Sequence, residues 1–124
     1  MANLKTELEE AETFYGEQIE AMIVGKLEEY PYPDAQPDEN VILSREAGLA
    51  KVDREYDDGF GGADCHSLYA WTASRIFFVF EYDGATSLHW LPRHPTALEV
   101  HLNGNAQSWD EIAKIIAARK VATA

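Results

Sequence analysis

The sequence is short of cysteine, of positive charge and of long apolar runs, and each shortage excludes something. A single cysteine, Cys65, in 124 residues permits no internal disulfide, which agrees with a reducing compartment and leaves stability to the core. The longest apolar run, IFFVF at positions 76–80, is far shorter than the roughly 20 residues a membrane-spanning helix needs. No basic-then-apolar leader pattern opens the chain, so a soluble, cytoplasmic protein with no membrane contact is expected. GxSxG, GxGxxG, HExxH, CxxC and a Walker lysine are all missing. Hydrolase, dehydrogenase and NTPase readings therefore lack their minimal parts.

Basic residues number 10 against 22 acidic ones, for a net charge of −12. The imbalance is local: residues 1–40 hold 11 acids against Lys5 and Lys26, residues 41–64 hold 6 against 3, and residues 65–124 hold 5 against 5. Such a field repels nucleic acid and anionic membranes and suits a basic protein partner. Acidity that only keeps a small protein soluble is the alternative.

At 46% apolar, 124 residues suffice for one core, so a single domain over 1–124 is expected, with an acidic region 1–64 and an aromatic sheet with a C-terminal helix in 65–124. Leu4, Leu8, Ala11 and Tyr15 recur at helical spacing before Gly16, predicting a short amphipathic helix. "QIEAMIVGKLE" fits a strand or a helical face. Gly25 and the Ile23-Val24 pair favour the strand. "YPYPDAQPDEN" is a surface loop, and Ser44 caps a short helix that Gly48 weakens.

From His66 onward, "HSLYAW", "RIFFVFEY" and "TSLHWL" read as strands. Asp83-Gly84 suits a two-residue hairpin turn, which sets Phe80 against Ser87, Phe78 against His89, Ile76 against Leu91, and Phe77 against Trp90. A turn at Ala73-Ser74 places Tyr69 beside Phe78 and Trp71 beside Ile76. Both sheet faces are then apolar, so helices should cover one and long loops or a partner subunit the other. "ALEVHL" reads as a fourth strand, and Asn103-Gly104-Asn105 as a turn. Ser108 and Glu111 form a capping box for a C-terminal helix with an Ile112, Ile115, Ile116 stripe. The fold class expected is α+β, a mostly antiparallel sheet flanked by N- and C-terminal helices.

Between the two halves lies "DREYDDGFGGADCH". Asp53, Glu55, Asp57 and Asp64 fall at positions 1, 3, 5 and 12 of a calcium-loop frame, but position 6 is Asp58 rather than glycine and position 12 is not glutamate. The calcium reading is therefore weak. Adjacent Cys65 and His66 point to opposite faces of a strand, which suits neither zinc nor an activated thiolate. His89 reads as a packed imidazole, with a base or sensor as the alternative. No catalytic set, metal or cofactor is expected.

What remains is binding. Phe60, Tyr69, Trp71 and Trp90 supply stacking faces, and Arg75 and Arg93 supply anion partners near strand ends. These six are the predicted pocket, although each aromatic also suits a core.

The run "DCHSLYAWTASRIFFVFEYDGATSLHWLPRHP", with the preceding "LSREAGLAKVDREYDDGFGGA", resembles a pattern of small bacterial and bacteriophage proteins. The resemblance covers about half the chain and brings no activity with it. A phage setting, in the host cytoplasm, implies by analogy an anti-defence protein. One type is similar to the Thoeris anti-defence sponges, which hold a nucleotide-derived immune signal in pockets between subunits. The other is an acidic nucleic-acid mimic of the anti-CRISPR kind, which binds a basic host protein. The expectation is a non-enzymatic homo-oligomer that binds a small nucleotide-like ligand, with the mimic as the alternative.

Overall fold

The computed structural model describes residues 2–29, 31–59, 63–82 and 85–106. Phe60, Gly61 and Gly62, the turn expected at Asp83-Gly84 and the expected C-terminal helix with its Ser108–Glu111 box lie outside the described residues.

Asn3 caps the first helix, α1 (Leu4–Tyr15), by accepting from the Thr6 N–H at 3.3 Å. Gly16 ends it at φ 69, the left-handed conformation that glycine adopts without steric cost. Leu4, Leu8 and Ala11 form its buried stripe, as their spacing predicts. Ser44 caps α2 (Arg45–Lys51) by accepting from the Ala47 N–H. Short strands β1 (Ala2–Asn3) and β4 (Glu55–Tyr56) pair with each other beside these helices.

The segment with two readings is a strand, β2 (Ala21–Leu27). With β3 (Ile42–Leu43), β5 (His66–Trp71), β6 (Arg75–Tyr82), β7 (Ala85–Pro92) and β8 (Asn105–Ala106) it forms an antiparallel sheet of order β3-β2-β5-β6-β7-β8. The β5–β6–β7 registers are those the turn chemistry predicts: Trp71 pairs with Ile76, Tyr69 with Phe78, and Phe77 with Trp90. The α+β class stands, with both described helices in the N-terminal half.

Helices α1 and α2 both lie on one sheet face. Their Leu4, Leu8, Ala11 and Leu49 share a core with Met22, Val24, Leu68, Ala70, Phe77, Leu88 and Trp90. Gly48 lets α2 approach β2 closely, because a Cβ there would stand 2.8 Å from Met22 Cβ. The opposite face carries Ile23, Tyr69, Trp71, Ile76, Phe78, Phe80 and Leu91. Tyr69 and Leu91 are exposed, and the rest are half-buried. His89 is buried there, with Phe80 4.7 Å from its ring and Nδ1 2.8 Å from the Asn103 carbonyl.

One expectation is corrected. "ALEVHL" is not a strand of the sheet; the place beside β7 goes to β8, with His89 paired to Ala106 and Trp90 to Asn105. Two contacts decide it: the His89 bond to Asn103, and Gly104 at φ 72, where a Cβ would stand 2.9 Å from the Trp90 carbonyl oxygen. Residues 95–101 become an excursion between β7 and β8.

Candidate functional site

The alternation of side chains along each strand divides the six predicted pocket residues between two faces. Arg75 and Trp90 lie on the helix-covered face, deep in a cluster around the end of α1. The Arg75 guanidinium sits 3.9 Å from the centroid of the Tyr15 ring and 4.7 Å from that of Trp90. The Trp90 indole N–H donates to the Tyr15 hydroxyl at 3.0 Å. Glu17 closes the cluster, accepting from Arg75 Nη1 at 2.6 Å, from the Thr72 hydroxyl at 2.7 Å and from the Ser74 backbone N–H at 3.0 Å. Burial raises the Glu17 carboxyl, but the Ser74 and Thr72 hydrogen bonds and the Arg75 charge outweigh it and hold the carboxyl below its ordinary value. Arg75 is thus neutralised and stacked from within the chain.

Tyr69, Trp71 and Arg93 occupy the other side and the end of the sheet. The Tyr69 and Trp71 rings meet edge to face at 6.1 Å. Tyr69 is 55% exposed. Trp71 and Arg93, with Glu20, Ala21, Ile23 and Ile42, line an open cleft of about 290 Å³, at the lower bound of ordinary small-molecule sites. Arg93 donates to the Glu20 carboxylate and, at 2.9 Å, to the Thr72 carbonyl. Phe60 lies outside the described residues. Three of the six residues are therefore neighbours, and two belong to a separate internal cluster.

Three carboxylates of the acidic loop are engaged, one by the N-cap of α1 and two within the loop. Asp53 accepts from the Asn3 amide, Asp57 from the Gly59 N–H, and Asp64 from the Asp57 N–H. Among the described residues no group of three or more His, Cys, Asp or Glu is placed to hold a metal ion. Cys65 is buried, and burial, with Asp64 and Glu7 nearby, pushes its thiol up to about 12. A thiol so suppressed is a poor nucleophile at neutral pH. His66 holds the Gly25 carbonyl at 2.9 Å, on the other side of the strand.

Charge pairing is the feature that sequence reasoning missed. Among the described residues every arginine and lysine stands within 4 Å of a carboxylate: Lys5 with Glu9, Lys26 with Glu28, Lys51 with Asp38, Arg45 with Glu12, Arg54 with Glu29, Arg75 with Glu17 and Arg93 with Glu20. The Arg45–Glu12 pair is bidentate, at 2.8 and 2.7 Å. Burial raises Glu12, but the hydrogen bonds from Arg45 and the Ile19 N–H prevail and lower it. Glu20 and Arg93 are separated by 73 positions, so no local spacing signals their pairing.

No family model, curated protein or solved structure matches this chain. Among the described residues, no helix is long and apolar enough to cross a membrane.

Proposed function

We propose that this chain is a non-catalytic binding protein that takes a basic protein partner, with Tyr69 and Trp71 as the contact pair. One observation carries the reading: each described cation is already matched to a carboxylate, which leaves the surplus carboxylates to set the external field, while Tyr69 stands exposed and Trp71 half-exposed on the sheet face the helices leave uncovered. Arginine side chains complement that surface, since a guanidinium stacks on Trp or Tyr and pairs with a surface carboxylate that no cation of this chain engages. Long-range attraction speeds encounter, and the aromatic anchors hold the complex. In the phage setting the resemblance implies, this is inhibition of a basic host protein in the host cytoplasm.

Titration calorimetry with an arginine-rich peptide tests it. Binding should weaken with added salt, and the double variant Tyr69→Ser/Trp71→Ser should bind at least about tenfold more weakly, a difference of ~1.4 kcal/mol, with its urea midpoint kept. Charge reversal at Glu9 and Glu10 should flatten the salt dependence. Absence of binding, or binding indifferent to Tyr69 and Trp71, would defeat the reading.

The cleft that joins Trp71 to Arg93 supports a second reading, sequestration of a small nucleotide-derived signal by an anti-defence sponge. It ranks behind the first because a phosphate must displace Glu20 from Arg93, and the Arg75 charge is committed to Glu17. Calorimetry with cyclic ADP-ribose isomers and cyclic dinucleotides decides it; no heat with any of them retires the sponge.

A further inference from the structure

Residues 97–102 alternate Leu98, Val100 and Leu102 with Glu99 and His101, the pattern of a strand with one apolar face. The fold gives this segment no partner strand among the described residues. Its apolar side chains stand in solvent, Val100 at 93% and Leu102 at 97% exposure. Its backbone is engaged only at the ends: the Leu98 N–H reaches the Thr96 carbonyl, the His101 carbonyl receives the Gly104 N–H and Leu102 forms an isolated bridge with Gly104, while among the described residues the N–H groups of Glu99 and Val100 make no hydrogen bond. Unpaired backbone beside exposed apolar side chains is a template for strand addition.

We propose that this segment pairs antiparallel with the same segment of a second copy of the chain, with Val100 opposite Val100 across a two-fold axis. The sequence is self-complementary in that register. Leu98 faces Leu102 of the second copy, and Val100 meets its counterpart between those pairs, so one face becomes a continuous apolar row. On the other face Glu99 meets His101 of the second copy, and the pair occurs twice by symmetry. Centring the axis on Glu99 opposes two glutamates, and centring it on His101 opposes two imidazoles. A foreign strand would need no such symmetry, which is why a second copy is the occupant.

Two features set the strength. A single strand pair buries less than the about 1,200–2,000 Å² of a stable interface, so the dimer is weak and concentration-dependent. The net charge of −12 opposes association, although residues 65–124 are balanced in sign, so added salt strengthens the dimer by screening the distant acidic halves.

Sedimentation equilibrium on the full chain, over a wide concentration range and at two salt levels, is the test. The expected result is a mass that rises from monomer towards dimer with concentration and rises further with salt. Val100→Asp sets two carboxylates face to face and should weaken association at least about tenfold, equivalent to ~1.4 kcal/mol. Its urea midpoint should stay at the wild-type value, because Val100 touches nothing in the monomer core. Glu99→Lys should weaken the dimer, and Glu99→Lys/His101→Glu should restore it. A monomer mass throughout, a mass profile unmoved by Val100→Asp, or a swap that restores nothing would overturn the proposal.

Discussion

Replacing Arg75 by alanine separates a structural arginine from a binding one. The guanidinium lies against both the Tyr15 and Trp90 rings, and each such contact contributes about 0.5–2 kcal/mol depending on desolvation. Its ion pair with Glu17 is partly buried, at 21% and 18% side-chain exposure. Breaking a fully buried pair costs about 3–5 kcal/mol, and partial solvent access brings that down to about 1–2. Glu17 keeps its Thr72 and Ser74 donors, which limits the loss further. The total for Arg75→Ala is about 3 kcal/mol. Arg93→Ala is the control, because that ion pair is 35% and 54% exposed and such pairs contribute about 0–1 kcal/mol. Urea unfolding followed by tryptophan fluorescence reads both. With an m-value of about 1–3 kcal/mol per molar, the Arg75→Ala midpoint should fall well below that of Arg93→Ala. Equal midpoints would refute the clamp and return Arg75 to the ligand-binding candidates.

Gly48→Ala should raise helix propensity by about 1 kcal/mol, yet the new Cβ would stand 2.6 Å from Met22 Sδ and 2.8 Å from Met22 Cβ. Overpacking of about 1–3 kcal/mol prevails, so the urea midpoint should drop, and a midpoint at or above wild type would show that α2 shifts freely on the sheet. Glu7→Gln should stabilise at neutral pH. Burial raises the Glu7 carboxyl above its ordinary 4.5, Asp58 and Glu10 add to the rise, and the Tyr56 hydroxyl bond at 2.8 Å only partly offsets it. A carboxyl raised by folding holds its proton more tightly in the native state, so its contribution is complete below pH 4.5 and is lost as pH rises through the folded value. The gain from Glu7→Gln, measured by urea midpoints across pH, should therefore shrink on acidification; a gain that grows instead would reverse the sign assigned to Glu7.

Local chemistry in the sequence determined most of the fold. Leu4, Leu8 and Ala11 with Gly16 marked α1, Ser44 marked α2, and the Asp83-Gly84 dipeptide set a β6–β7 register that matches from Tyr82–Ala85 to Ile76–Leu91. Those features depend on side-chain period and turn type, which are properties of neighbours in the chain. The period of two also placed Arg75 and Trp90 on one face and Tyr69 and Trp71 on the other. Three things were decided only by tertiary structure. "ALEVHL" has strand chemistry but lost the place beside β7, because the His89–Asn103 bond and the Gly104 turn return the chain there with Asn105 and Ala106 instead. Both described helices packed on the same face, leaving Tyr69 and Trp71 on the face they do not cover. Arg75 and Arg93 look in the sequence like free anion partners, and Glu17 and Glu20, 58 and 73 positions away, neutralise them. Pairing over such separations depends on how the sheet end meets α1, and composition and spacing carry no record of it.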